Sequence, residues 1–137
     1  MIASGRHRPD EPLQSTQDFS VSIRFADGSL GTLFYGTAGA PTAGKELVEA
    51  HREGRSGRIE DFRTLRLWGG GRSRERRSRS RDKGHADEMR TFASVVRGES
   101  TAPPVAGYLT ATALSFAALR SLESGVEVQL ADVATAQ

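Results

Sequence analysis

The sequence predicts an α+β fold, an open, mostly antiparallel sheet with two helices packed on one face. The first half of the chain holds segments in which apolar and polar residues alternate, and the second half holds two segments with the helical period. Because the strands precede the helices instead of alternating with them, the sheet is expected to be antiparallel. The 137 residues are enough for one domain with its own core.

The clearest pair of strands is a predicted hairpin. Apolar and polar residues alternate from Phe19 to Phe25, which is typical of a half-buried strand. The turn signal Asp27-Gly28-Ser29 follows, and Leu30 to Tyr35 returns as the second strand. The polar, proline-containing residues 1–17 before the hairpin are predicted to form an irregular arm.

Three further strands are predicted after a loop of small residues over 36–44. They cover Glu46 to Arg52, Arg58 to Phe62 and Thr64 to Trp68. The glycine run over 69–71 is expected to end the last of them.

Two helices are expected in the second half of the chain. In the first, a stripe recurs at helical spacing through His85, Met89, Phe92 and Val96. Gly98 is placed to end this helix. After a break at Pro103-Pro104, a second helix is expected from Ala106 to Ser124, with Gly125 as its C-terminal cap.

The end of the chain is predicted to return to the sheet. Alternating apolar residues from Val126 to Leu130 indicate a last strand, and the residues after it are expected to fray. The expected organisation is therefore an arm over 1–17, one domain over 18–130 with a basic loop at 72–82, and a tail over 131–137.

The positive charge of the chain is concentrated in one short segment. The formal net charge is +2, yet residues 72–83 hold seven basic and two acidic residues, so the remainder carries a net charge of −3. The absence of cysteine excludes disulfides, thiolate metal sites and a cysteine nucleophile. No apolar run reaches the ~20 residues of a membrane span, and no secretory signal is recognised. A cytoplasmic protein without a membrane partner is therefore expected.

The basic segment has three alternative roles. Its six arginines are Arg72, Arg74, Arg76, Arg77, Arg79 and Arg81. Such a run is most often a solvated, mobile connection, but it can also bind a polyanion such as nucleic acid or guide an anionic ligand to a neighbouring site. No aromatic residues are interleaved with the arginines for base stacking, so the sequence disfavours nucleic acid as a partner.

Of the three histidines, only His85 lies on a candidate site. His7 falls in the polar arm, and His51 has no second histidine at metal-ligand spacing, so no metal site is predicted. A histidine on a helix face is more often a hydrogen-bonded boundary residue than a catalyst. Together with Lys83, however, His85 could line a polyol-binding surface at the start of the first helix. No catalytic residue is identified, and whether the chain is an enzyme stays open.

Three segments resemble one known family, in the same order along the chain. They are DFSVSIRFADGSLGTLFYGTAG over 18–39, KELVEAHREGRSGRIEDFRTLRLW over 45–68 and DKGHADEMRTFASVVRGES over 82–100. With a second helix and a closing GVEVQL, they are similar to the C-terminal domain of the Gfo/Idh/MocA oxidoreductases, in the bacterial branch. Members of this family are NAD(P)-dependent sugar and cyclitol dehydrogenases.

The resemblance implies a domain that supplies part of a substrate pocket and the open sheet face through which subunits associate. In the family, an N-terminal Rossmann domain binds the nicotinamide cofactor and carries the catalytic lysine. This chain contains no G-x-G-x-x-G fingerprint. It is therefore expected to bind no cofactor alone, and NAD(P) is implied only for the complete enzyme.

Two functions from different classes follow from the sequence. The first is the substrate-side and oligomerisation domain of an NAD(P)-dependent sugar- or cyclitol-type oxidoreductase. In that case the chain is a fragment, or a subunit inactive alone that needs a separate Rossmann-domain partner, and it forms a homodimer or a higher oligomer through the open sheet face. The second is a stand-alone binding module whose Arg-Ser tract engages a polyanion.

Overall fold

The structure is a computed structural model that describes residues 1–6, 10–40 and 42–131. The chain divides into two compact units, one built from 1–39 with 103–137 and the other from 40–102. In chain order the strands and helices are β1 Ile2–Gly5, β2 Phe19–Arg24, β3 Leu30–Tyr35, β4 Leu47–Arg52, β5 Arg55–Glu60, β6 Thr64–Gly69, β7 Arg72–Arg77, α1 His85–Val96 and α2 Val105–Ser124. A 3₁₀ turn, Leu13–Ser15, lies between β1 and β2.

The predicted α+β class is confirmed, with the strands in two sheets instead of one. β1, β2 and β3 form a three-stranded antiparallel sheet, and β4 to β7 form a four-stranded antiparallel sheet. Alternation identifies a segment as a strand but carries no information about the strand with which it pairs. The sequence indicated β2, β3, β4 and β6 correctly. It placed the strand predicted over Arg58 to Phe62 too late, since β5 is Arg55–Glu60, and it gave no information about the division into two sheets.

α2 packs against the three-stranded sheet and forms the core of the first unit. Antiparallel pairing places Ala3 opposite Val21, on the face that packs against Ala117 of α2, and Met1 completes the buried apolar cluster. The partly buried residues around this cluster are Phe19, Ile23, Leu114, Ala118, Leu122 and Val128. The helix predicted over Ala106 to Ser124 is thus confirmed, and it packs on one face of a sheet as expected.

The first residues belong to this core, which corrects the predicted arm over 1–17. β1 pairs with β2 along all four of its residues, and Ala3 is only 4% exposed. The strand is short and contains serine and glycine, so it lacks the alternation of bulky residues that identifies β2 in the sequence.

Hydrogen bonds from the end of α2 close the outer edge of β1. Ala3 N donates to Ser121 Oγ at 2.8 Å, and Ser121 Oγ donates to Val126 O at 2.7 Å. Met1 and Val128 exchange two further backbone hydrogen bonds, each 2.8 Å long. The backbone N–H and C=O groups of a free strand edge would otherwise be unpaired. The fully buried Ser121 satisfies one of these groups and so joins the helix to the sheet.

The residues after α2 do not form the predicted last strand. Gly125, at φ 70°, ends the helix as expected, but Val126 to Gln129 have no regular structure. Val128 alone exchanges backbone hydrogen bonds with Met1, and a ladder requires a succession of such pairs. Beyond Ala131, the predicted tail lies outside the described residues.

Among the described helices, α2 alone is long and apolar enough to cross a membrane by length and composition. Of its residues, Ala117 and Ser121 alone are buried, and they lie against the sheet. The apolar side chains on the rest of the helix are more than half exposed: Val105, Tyr108, Leu109 and Phe116. α2 therefore buries the side that faces the three-stranded sheet and leaves these four apolar side chains exposed.

The second unit contains a four-stranded meander with tight turns. Glu53 and Gly54 connect β4 to β5 at φ 48° and 71°, and Gly70 and Gly71 connect β6 to β7 at φ 57° and 71°. Two successive residues with positive φ are the mark of the type I′ turn, whose twist matches that of a hairpin. The glycine run therefore joins two strands, whereas the sequence predicted that it ends one.

β7 corrects the predicted basic loop over 72–82. Arg72 to Arg77 pair residue by residue with Gly69 back to Thr64, and only residues 78–82 lack regular structure. Strand propensity depends strongly on context, and an edge strand with all its side chains exposed can accommodate charged residues. Pairing with β6 therefore outweighs the polar composition of this segment.

α1 confirms the first predicted helix together with its stop signal. Gly98 adopts φ 73°, its N–H donates to Val95 O at 3.0 Å, and the next N–H donates to Ser94 O at 2.9 Å. These are the two hydrogen bonds of a Schellman motif. Unlike α2, α1 buries none of its residues, and its apolar stripe is more than 60% exposed at Met89, Phe92 and Val96.

Candidate functional site

The two faces of the four-stranded sheet carry different chemistry. Side chains alternate between faces along each strand, and the pairing register fixes which residues share a face. The first, which we call the ion-pair face, carries Glu49, Arg58, Glu60, Arg66 and Glu75. The second, which we call the basic face, carries Val48, Arg55, Gly57, Ile59, Leu65, Leu67, Arg72, Arg74 and Arg76.

Carboxylates neutralise Arg58 and Arg66 on the ion-pair face, whereas Arg77, on the same face, has no ion pair among the described residues. Arg58 Nε lies 3.5 Å from Glu49 Oε1 and 3.0 Å from Glu60 Oε1. Arg66 lies 3.1 Å from Glu60 and 2.7 Å from Glu75. The hydrogen bond to Glu75 and the charge of Glu60 raise the pKa of the Arg66 guanidinium. Ion pairs on an exposed surface contribute little individually, so this face is a solvated polar surface.

Four arginines of the basic face have no carboxylate partner in the described part of the chain, namely Arg55, Arg72, Arg74 and Arg76. Arg52, opposite Arg55 on the same face, forms an ion pair with Glu53. Arg72, Arg74 and Arg76 are exposed on β7, and no ion pair or hydrogen bond engages their side chains there. Arg55 lies beside them, because a Cβ atom at Gly69 would meet Arg55 Cγ at 3.0 Å. The missing side chain at Gly69 thus lets the Arg55 stem lie against β6.

A shallow cavity of about 520 Å³ opens at the corner of the basic face. Its lining residues are Arg55, Leu67, Trp68, Gly69, Gly70, Arg72 and Arg74. Guanidinium groups bind phosphate and carboxylate groups through paired N–H donors. Three of them around an apolar floor can therefore hold an anionic group together with an apolar part of the same ligand. Arg77 is on the opposite face of β7, and Arg79 and Arg81 lie beyond the strand.

The two predicted polyol-binding residues lie close in sequence and have different surroundings. Lys83 Nζ forms an ion pair with Glu46 Oε1 and lies 5.6 Å from the centroid of the Phe62 ring. The His85 side chain is 79% exposed, with Nδ1 3.7 Å from Glu88 Oε2. Lys83 is therefore held in place by the second unit, whereas His85 is open to solvent.

Asp61, which carries no signal in the sequence, organises the backbone before β4. Lys45 N and Glu46 N donate to Asp61 Oδ1 at 2.7 and 3.3 Å. These hydrogen bonds, with the nearby charge of Arg81, hold the pKa of the Asp61 carboxyl below its ordinary value of 3.8. Asp61 adopts φ 51°, a conformation that Asp and Asn tolerate better than most residues.

Replacing Asp61 by asparagine is expected to destabilise the protein at pH 7, with a difference that shrinks in acid. The folded-state pKa is lowered, so the ionised carboxylate stabilises the fold above the unfolded-state pKa and this contribution is lost as the pH falls through the folded-state pKa. Asparagine keeps the shape and tolerates the positive φ. Urea unfolding of D61N and of the exposed control D10N, at pH 7 and pH 3, measures the effect. Equal loss at both pH values would contradict the electrostatic explanation.

The three-stranded sheet presents a second candidate surface on the side away from its core. Ile2, Leu30 and Phe34 lie there by register, and we call this surface the outer face. Leu30 and Phe34 are 77% and 78% exposed, while the opposite side of the same sheet carries the core residues Ala3 and Val21. By the same register the outer face also carries polar residues: Ser4, Ser20, Ser22, Arg24 and Thr32. Leu30 and Phe34 are therefore exposed apolar side chains on a face of mixed composition.

The remaining histidines add no site. His51 Nδ1 lies 2.9 Å from Ser56 Oγ on the ion-pair side of the sheet, and His7 lies outside the described residues. Among the residues that the structure describes, no group of three His, Asp or Glu side chains could hold a metal ion.

Comparisons with family models, with curated proteins and with solved structures find no match to this chain. The similarity of the three segments to the Gfo/Idh/MocA family therefore stays a prediction. What the chain does must be inferred from the basic face, the outer face and the residues at the start of α1.

Proposed function

We propose that this chain is the substrate-side and oligomerisation domain of a cytoplasmic NAD(P)-dependent oxidoreductase of the sugar or cyclitol type. It depends on a separate Rossmann-domain partner, or on the remainder of a longer protein, for its cofactor. The oxidoreductase part of the proposal rests on the resemblance of residues 18–39, 45–68 and 82–100 to the Gfo/Idh/MocA domain.

The observation that carries the oligomerisation role is the exposed outer face. Leu30 and Phe34 leave more than three quarters of their side-chain surface in water, although burying such a side chain is worth about 1.5–3 kcal/mol. Large apolar side chains left exposed on one face of a sheet are candidates for contact with a partner. A second copy of the chain, related by a twofold axis, would bring two such faces together and cover both.

The basic face is a poor surface for the same purpose. A twofold interface brings each residue near its own copies, and here it would bring together the guanidinium groups of Arg55, Arg72, Arg74 and Arg76, which lack carboxylate partners among the described residues. Like charges placed together across an interface disfavour association. The outer face of the three-stranded sheet is therefore the open sheet face assigned to the dimer.

Lys83 and His85 are the residues assigned to the substrate. Both lie in the second unit at the entry to α1, and their nitrogen atoms can hydrogen-bond the hydroxyl groups of a polyol. The ion pair with Glu46 positions the Lys83 ammonium group, which lowers the cost of ordering it on binding.

The chain alone is expected to bind NADH no more tightly than about 100 μM, which corresponds to about −5.5 kcal/mol. A dinucleotide site needs a glycine-rich turn at a helix N-terminus after a strand, and α1 instead follows an irregular segment. Isothermal titration calorimetry with NADH and NADPH at physiological salt measures the affinity. Saturable binding below 100 μM would contradict the dependence on a cofactor-binding partner and would place a nucleotide site in this chain.

A further inference from the structure

The distribution of ion pairs in the four-stranded sheet is uneven. On the ion-pair face, Arg58 and Arg66 are surrounded by three glutamates. On the basic face, four arginines have no carboxylate partner in the described residues: Arg55, Arg72, Arg74 and Arg76. Concentrated like charge destabilises a fold through self-repulsion, and an anionic ligand would remove that repulsion.

The strand conformation of β7 sets a regular spacing for these charges. Residues that alternate along a strand lie about 6.7 Å apart, so Arg72, Arg74 and Arg76 form a straight row on one face. Each strand of a stacked nucleic acid carries a phosphate about every 3.4 Å along its axis. That value is a rise along a helix axis and does not fix the distance between phosphates of an extended strand. What β7 supplies is a fixed line of three guanidinium groups along which a single strand can lie.

We propose that the basic face binds single-stranded nucleic acid through its phosphodiester backbone. Arg72, Arg74 and Arg76 contact phosphates along the bound strand, and Arg55 adds a fourth cation at the corner cavity beside Gly69. Arginine suits this role because its planar guanidinium group donates paired hydrogen bonds to phosphate oxygens. This function does not depend on the oxidoreductase assignment.

The apolar residues beside the row of arginines can contact the bases without distinguishing one base from another. Leu65 and Leu67 of β6 lie opposite Arg76 and Arg74, and Ile59 continues the apolar floor on β5. Such side chains can contact a base but supply no hydrogen bonds to its edge, and base edges carry the sequence information. Binding is therefore indifferent to sequence and depends strongly on salt.

The wild-type chain is expected to bind a labelled oligothymidylate of about 12 nucleotides with a dissociation constant of about 1–100 μM, the usual range of nonspecific association. Four phosphate contacts on a single strand, three from the row and one from Arg55, give a salt slope of about −3, so the affinity falls roughly 50-fold between 50 and 200 mM salt. Fluorescence anisotropy at four salt concentrations measures both quantities. Ribose and deoxyribose oligomers are expected to bind equally, since none of the proposed contacts involves the 2′-hydroxyl group.

The variant R72T/R74T/R76T is expected to bind at least tenfold more weakly at 50 mM salt. Its salt slope is expected to be less steep than that of the wild type by about 2. Threonine favours strands, so β7 is retained, and circular dichroism checks the fold. The matched control R77T/R90S/R97S removes three charges from exposed positions, one of them on the opposite face of β7, and is expected to bind like the wild type. A lysine variant, R72K/R74K/R76K, keeps the charge and is expected to keep most of the salt slope.

Three results would each overturn the proposal. The first is equal binding by the threonine variant and the wild type, and the second is an equal loss in the control variant, which would show a diffuse effect of net charge. The third is tighter binding of a heparin fragment of the same charge, or of duplex DNA, than of the single strand. The proposal also fails if the wild type binds none of these probes. In that case the arginines of β7 serve only to keep the exposed edge of the sheet from pairing with another chain.

Discussion

Replacing Ser121 by alanine is expected to lower the free energy of unfolding by about 2 kcal/mol, because it leaves a buried donor without its acceptor. Ser121 Oγ accepts the hydrogen bond of Ala3 N and donates to Val126 O, and the side chain is fully buried. Water cannot replace the lost group without opening the contact between α2 and β1. Urea unfolding followed by circular dichroism measures the loss.

The matched control for this substitution is Ser124→Ala, three residues further along α2. Ser124 Oγ donates to Arg120 O at an exposed position, so its removal is expected to change stability by less than about 0.5 kcal/mol. If S121A and S124A unfold at the same urea concentration, the edge of β1 is not held by Ser121 as described.

If the proposed oligomer forms through the outer face, the double substitution L30S/F34S is expected to convert it to a monomer at micromolar concentrations. It replaces the two most exposed apolar side chains of the outer face and leaves the core side of the sheet unchanged. Desolvation of Leu and Phe at a closed interface is worth about 1.5–3 kcal/mol for each side chain, and a twofold interface loses each of them twice. Sedimentation velocity measures the mass of the variant.

A second pair of substitutions separates the outer face from the apolar side of α2. Tyr108 and Phe116 are also more than half exposed, and Y108S/F116S removes a comparable apolar area. This variant is expected to keep the mass of the wild type. If it dissociates and L30S/F34S does not, the copies associate through α2.

The helices could be predicted from the sequence because their signals are local. The period from Met89 to Val96 and the glycine at position 98 are both properties of neighbouring residues, and the Schellman hydrogen bonds confirm them. What α1 packs against is not a local property. Its stripe therefore predicted a helix correctly and gave no information about burial.

β7 could not be predicted because its partner supplies its structure. A run of arginine and serine lacks apolar alternation, and its strand conformation comes from the turn at Gly70-Gly71 and from pairing with β6. The same pairing fixes the arginines of this segment in a row with regular spacing, which the number of charges alone does not imply. The polyanion hypothesis, which the sequence disfavoured, gains its physical basis only from that register.

Ser121 and Asp61 show a second limit of sequence analysis. Each acts through backbone groups distant along the chain, Ala3 in one case and Lys45 in the other. A lone serine or aspartate is common in loops and helices, and its partners are visible only once the chain has folded. Lys83 and His85, by contrast, were identified from their place before a helix, and the structure leaves their assignment to substrate as a proposal.

The measurement that tests the central proposal most directly is sedimentation velocity of the unmodified chain across micromolar concentrations. The proposed oligomerisation domain predicts a species of at least twice the 14.8 kDa chain mass, whose proportion rises with concentration. A single species of 14.8 kDa at every concentration would show that the outer face does not join copies of this chain, and would contradict the account.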